Sequence, residues 1–144
     1  MAEHCNLLHI SHYLPLRQET KVYQRRRVTV EKPVFPGYFF CSIDHDDLQK
    51  LATTNHILRV LPDDASRLLT RQLVQVRRAL RVDPGLHSRN ALKRGKRVRI
   101  KQGPFMGVEG IVSTVKGVTS VCLNVELIGQ AVAVEVDQAF IDLI

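Results

Sequence analysis

The sequence predicts an α+β protein: an antiparallel sheet with helices packed on one face, followed by a small five-stranded β-barrel. Three observations predict it. Short segments of alternating apolar residues occupy the first sixty positions, as half-buried strands require. A single clear helical period runs from Leu69 through Leu73 and Val76 to Leu80. Beyond residue 93 no helical period appears, and short alternating segments are divided by glycine-rich turns. Together these divide the 144 residues into a front domain over 1–82, a linker over 83–93 and a barrel over 94–144.

Composition narrows the class. With 44% apolar and 24% charged residues the chain has a globular composition. No apolar run approaches the roughly 20 residues that span a bilayer, and Met1-Ala2-Glu3-His4 opens no signal peptide. Three scattered cysteines, Cys5, Cys41 and Cys122, fit a reduced cytoplasm better than a disulfide framework. The net charge of +7 is unevenly spread. Residues 1–101 hold 20 Lys/Arg against 9 Asp/Glu, whereas residues 102–144 hold one Lys against five acids. A polyanion beside the front part, and a different partner beside the tail, would explain the asymmetry; so would a solvated basic surface.

Taken in order, residues 1–10 read as the end of an amphipathic helix carrying Cys5 and Leu8, with or without Leu7. His4, His9 and His12 lie near one another but lack cysteine or carboxylate partners at ligand spacing, so no metal is expected. Ser11 to Val34 is hairpin-like, with Val28 and Val30 alternating against Thr29 and Glu31. Arg25, Arg26 and Arg27 fall at its tip, where they can meet phosphates or only water. Asp44 to Asp47 suits a helix N-terminus. A short helix over Leu48 and Leu51 then ends near Thr53-Thr54-Asn55. Ile57, Leu58, Val60 and Leu61 read as a strand stopped by Pro62-Asp63-Asp64. The helix from Leu69 to Leu80 takes Ser66 or Thr70 as its cap and turns Arg71, Gln75, Arg78 and Arg81 outward. Asp83-Pro84-Gly85 ends it, and Leu86 to Lys93 reads as linker.

The front part is organised around Lys32-Pro33-Val34-Phe35-Pro36-Gly37-Tyr38-Phe39-Phe40-Cys41-Ser42-Ile43, which holds three of the five phenylalanines. Read as a strand from Tyr38, it sends Phe39, Cys41 and Ile43 to one face and Tyr38, Phe40 and Ser42 to the other. With helices on one side only, Tyr38 and Phe40 form an exposed aromatic platform. Burial of both faces is the competing outcome.

In the tail, Arg97-Val98-Arg99-Ile100-Lys101 alternates, and three glycines with a proline crowd residues 103–110. Strands follow over Ile111-Val112, Val121–Leu127 and Val132–Val136, with turns at Lys116-Gly117 and Ile128-Gly129-Gln130.

Two stretches carry a resemblance. Gly95-Lys-Arg-Val-Arg-Ile-Lys-Gln-Gly-Pro-Phe-Met-Gly-Val-Glu-Gly-Ile-Val112 resembles the KOW motif, and Phe35-Pro36-Gly37-Tyr38 is similar to a segment of NusG-type amino-terminal (NGN) domains. In that order they resemble the NusG family of transcription elongation and antitermination factors, RfaH-like paralogues included. The resemblance covers nearly the whole chain and implies an SH3-like fold for the barrel. It also implies a chain lacking the family's usual first strand, with its Trp-Tyr pair, and most of the first helix, since there is no Trp.

What the resemblance implies about function is specific. Phe35, Pro36, Tyr38 and Phe40 would dock on the clamp helices of the largest RNA polymerase subunit. Arg25, Arg26 and Arg27 would lie towards upstream or non-template DNA. The KOW barrel, through Gly103, Pro104, Phe105, Gly107 and Gly110, would recruit a small-subunit ribosomal protein or the termination factor Rho. The threonine-rich motif with which RfaH meets the polymerase is not evident near Gln49-Lys50. A monomer with weak DNA or RNA contact follows.

The residues alone leave other roles open. The three glycines most simply serve the tight turn and close strand packing, and Phe105 suits barrel core as well as a partner. Strands follow these glycines where a phosphate-cradling loop would want a helix. No Ser-His-Asp, Cys-His or paired-carboxylate arrangement stands out, so neither enzyme nor cofactor is expected. The alternative function is a ribosome-associated RNA-binding module that stacks bases on Tyr38 and Phe40, worth roughly 1–3 kcal/mol per base.

Overall fold

A computed structural model describes residues 1–61 and 67–144 and shows a mixed α+β protein. Its contacts divide it into two compact units, Met1–Pro15 with Phe35–Pro62, and Leu16–Val34 with Asp63–Ile144. No helix among the described residues is long and apolar enough to cross a membrane.

The first unit opens with helix α1 (Ala2–Leu7), whose one buried side chain is Cys5. Strand β1 (Ser11–Tyr13) pairs antiparallel with β4 (Phe40–Ser42), setting His12 opposite Cys41. Helix α2 (His45–Ala52) starts where the aspartates predict. Asp44 is its N-cap, and its Oδ1 accepts the Asp47 N–H at 2.8 Å. Asp46 and Asp47 add negative charge to the first turn, where the helix dipole favours it. Asn55, with φ +59°, lies just past the helix end, in the left-handed conformation common there. Cys5, Ile10 and Leu51 form the core of this unit, with Met1, Phe39, Ile43 and Ile57 packed against it. Asp44→Ala should cost about 1 kcal/mol of local stability. Hydrogen exchange checks this: the Asp47 amide should lose protection while amides of the second unit keep theirs.

The expected strand over Ile57–Leu61 does not form. Ile57 packs into the core, but Leu58 is fully exposed and this stretch pairs with no other strand. Its four apolar residues lack the strict alternation that would bury one face. The expected stop at Pro62-Asp63-Asp64 lies outside the described residues.

In the second unit, β2 (Leu16–Tyr23) and β3 (Arg26–Pro33) form the hairpin in continuous antiparallel register. Its less exposed side is polar, set by Arg17, Glu19, Lys21 and Lys32 around Val30, whereas Val28 is exposed. The Gln18 N–H donates to the Pro84 carbonyl at 2.6 Å, tying the hairpin to the chain after helix α3 (Leu68–Val82). That helix buries Val76, Ala79 and Leu80 on the expected face. Its N-cap is Arg67, in the left-handed region at φ +59°, so Thr70 lies inside the first turn rather than capping it. Ser66 lies outside the described residues.

Six antiparallel strands follow: β5 (Ser88–Asn90), β6 (Arg97–Ile100), β7 (Glu109–Val115), β8 (Val118–Val125), β9 (Gln130–Glu135) and β10 (Ile141–Leu143). Their order is β10-β6-β7-β8-β9-β5. The last strand thus returns beside the first of the meander, and β5 comes from the stretch expected to be linker. Among the described residues no ladder joins β10 to β5 or β9, so the five-stranded barrel expected to be closed is not closed by hydrogen bonds. The two edges are strands of three residues each, short enough to limit edge-to-edge pairing. Central strand β8 packs against α3 and buries Val121 to Val125 without interruption. Coverage of both its faces explains why its apolar residues run on instead of alternating. Two glutamines fasten α3 there. Gln72 accepts the Glu126 N–H at 2.9 Å and Gln75 accepts the Glu109 N–H at 3.0 Å. Gln75 therefore faces the sheet, not the solvent as its place among the arginines suggests.

Candidate functional site

Phe35-Pro36-Gly37-Tyr38 is a tight turn. The Tyr38 N–H donates to the Phe35 carbonyl at 3.1 Å, and Gly37 adopts φ +86°. Proline at the second position and a left-handed glycine at the third make it a type II turn. A Cβ on Gly37 would meet nothing within 4 Å, so backbone conformation alone accounts for the glycine. The turn leaves Pro36 exposed and Tyr38 half-buried and folds Phe35 inward.

The exposed platform is not what forms. Phe40 is 8% exposed and Phe35 1%, and their rings meet edge-to-face with centroids 6.4 Å apart. Phe39 is half-buried on the other side, stacked on His12 at 5.5 Å and packed on the Cys5–Ile10–Leu51 core. Phe39 and Phe40 are therefore covered on opposite sides of the chain, while Cys41, expected on the core face with Phe39, and Ser42 are exposed. Aromatic pairs of this geometry are attractive beyond their area burial, which favours Phe40 inside. Of the four residues assigned to the platform, Pro36 and Tyr38 retain accessible surface, and Phe35 and Phe40 belong to the interior.

The hairpin tip is as the sequence predicts. Gln24 and Arg25 form a two-residue turn with φ +47° and +67°, values of the turn type that matches the strand twist. Arg25, Arg26 and Arg27 are exposed. Tyr23, opposite Arg26, is 57% exposed, and Val22, opposite Arg27, is exposed too. Sequence reading passed over Tyr23; its place directly before a turn beside three arginines was the available signal. At the hairpin's other end Glu19 binds Lys32 at 2.7 Å, and that hydrogen bond holds its carboxyl below the ordinary value.

The glycine-rich loop between β6 and β7 has a separate structural reason at each glycine. Gly103 lies at φ +87° against the Phe140 ring, and Gly107 at φ +92° donates its N–H to the Ile100 carbonyl at 2.8 Å. Gly110 lies flush against β8: a Cβ there would come 2.5 Å from the Cys122 carbonyl. Phe105 is half-buried, whereas Pro104 and Met106 are exposed at the loop surface. Met106 is a second residue that sequence reading did not single out.

His4, His9 and His12 do not converge. His4 meets the ring of His56, His12 stacks on Phe39, and the described residues contain no cluster of three metal-ligating side chains. All three cysteines are free, and desolvation pushes each thiol above its ordinary pKa, away from the reactive thiolate.

No family model matches the chain, and no curated protein is significantly similar to it.

Proposed function

We propose that the chain is a NusG-type transcription elongation or antitermination factor that acts in the cytoplasm without catalysis. The observation that carries this reading is the setting of the KOW-like stretch. It runs from β6 through a loop with two left-handed glycines into β7, flush against β8, and the last strand returns to pair with β6. A four-strand meander whose next strand returns beside the first is the connectivity an SH3-like KOW domain needs.

In this reading Pro36 and Tyr38 present the turn to the clamp helices of the largest polymerase subunit, and Phe35 and Phe40 shape the turn from within. The hairpin tip meets DNA through Arg25, Arg26 and Arg27, with Tyr23 available to stack on a base. Pro104, Phe105 and Met106 offer the exposed surface of the KOW-like sheet to a second partner, a small-subunit ribosomal protein or Rho. An RNA-binding module stacking bases on Tyr38 and Phe40 is less well supported, because Phe40 has no free face.

A pull-down of purified core RNA polymerase tests the assignment. Tyr38→Ala should weaken capture at least about tenfold, equivalent to about 1.4 kcal/mol, with circular dichroism unchanged. Equal capture by wild type and variant, both folded, would refute it.

A further inference from the structure

The excess positive charge has a narrower address than the front half of the chain. Residues 1–66 carry eight Lys/Arg and eight Asp/Glu, whereas residues 67–101 carry twelve Lys/Arg and one acid, Asp83. All twelve cations are exposed.

Five of them lie on α3 or its cap. At 100° per residue Arg67, Arg71, Arg77, Arg78 and Arg81 fall within an arc of about 120°, opposite the buried Val76, with Thr70 and Val74 between them. No acid shares that arc. The stripe is about 21 Å long at 1.5 Å per residue. Among the described residues Arg67, Arg77 and Arg81 have no carboxylate within ion-pair reach, and Arg78 reaches only the Gly107 carbonyl at 3.4 Å. Arg71 lines one groove with Arg97, beside the start of β6. Glu109 and Glu126 line the same groove, and Arg99 and Arg97 already hold Glu109 at 2.6 and 3.9 Å. Further along, Lys93, Arg94 and Lys96 sit on a fixed segment. Asn124 is buried and clamps Leu92 twice, accepting its N–H at 3.0 Å and donating to its carbonyl at 2.7 Å.

We propose that the arginine stripe of α3 is a second nucleic-acid-binding face, distinct from the hairpin tip, that takes the phosphate backbone of duplex DNA. Charge complementarity identifies a polyanion, and the residue types identify which one. Residues 67–101 contain no Phe, Tyr or Trp, so the stripe itself carries no ring to stack on unpaired bases. Guanidinium groups suit phosphate oxygens, and the arc holds no carboxylate or amide to accept from a ribose 2′-hydroxyl. A straight row of donors on a rigid helix fits a regular duplex backbone. Such contacts position a protein on DNA without reading sequence. The proposal does not rest on the elongation-factor reading, since either can fail alone.

The test is fluorescence anisotropy of the full chain with a labelled duplex DNA of about 20 base pairs over roughly 50–200 mM salt. The combined variant Arg77→Gln, Arg78→Gln, Arg81→Gln should reduce the slope of log affinity against log salt by up to about 3, at about 0.9 per lost phosphate contact. Affinity at the lowest salt should fall by at least about tenfold. The variant Arg77→Lys, Arg78→Lys, Arg81→Lys, which keeps the charge, should retain most binding and so separates charge loss from misfolding. Replacing Arg25, Arg26 and Arg27 by Gln should lower affinity independently, and the two losses should add. An unchanged slope in the folded Gln variant of α3 overturns the proposal. So does tighter binding of the matching single strand or duplex RNA than of duplex DNA.

Discussion

Phe35→Ala is expected to lose about 3–5 kcal/mol of stability, the range for removing a large aromatic side chain from a packed core. Phe35 is 1% exposed and forms one side of the edge-to-face pair with Phe40, so truncation removes both the buried area and the ring contact. Because Phe35 also accepts the hydrogen bond that closes the Pro36-Gly37 turn, a cavity behind it should loosen the turn that presents Tyr38. Urea denaturation followed by circular dichroism measures the loss. Tyr38→Ala, at a half-buried position, should cost less than half as much. A Phe35→Ala chain that unfolds at the wild-type urea concentration would mean that the aromatic pair is not core.

Gly110→Val should also be severe. A Cβ at this position would stand 2.5 Å from the Cys122 carbonyl, 2.8 Å from a Val121 methyl and 2.9 Å from a Leu123 methyl. The first neighbour is backbone of the central strand and cannot swing aside. Overpacking of this kind costs about 1–3 kcal/mol or more. Gly107→Ala makes the comparison informative, because nothing lies within 4 Å of its Cβ and its strain comes only from φ +92°. The Gly107 change should cost about 1 kcal/mol, leaving Gly110→Val clearly the worse by urea midpoint. The reverse order would contradict the close approach of β7 to β8.

The features that short-range chemistry controls were legible in the sequence. Asp44 caps α2, the hairpin tip falls at Arg25, Lys116-Gly117 turns β7 into β8, and the period from Leu69 to Leu80 sets the buried side of α3. What escaped depends on partners distant in the chain. Counting by twos from Tyr38 assigned Phe40 to solvent, yet the ordered strand begins only at Phe40 and both flanks of its aromatic run are covered. Residues 88–90 carry no strand signature of their own and are drawn into a ladder by β9. Ile57–Leu61 has the apolar content of a strand but pairs with nothing. For the candidate sites, Arg25–Arg27 was readable because a turn must expose its tip. Arg71, Arg78 and Arg81 of the α3 stripe were readable from the helical period, whereas Tyr23, Arg67 and Arg77 became visible only once register and helix bounds were known.

The claim on which the function rests is that the Pro36–Tyr38 turn meets the largest subunit of RNA polymerase. Photo-crosslinking from a benzoylphenylalanine placed at Tyr38, in assembled elongation complexes, tests it directly. The account predicts one dominant adduct with the largest subunit, mapping to its clamp helices and lost when excess unlabelled chain competes. Adducts only with RNA, or none while the chain remains bound, would contradict it.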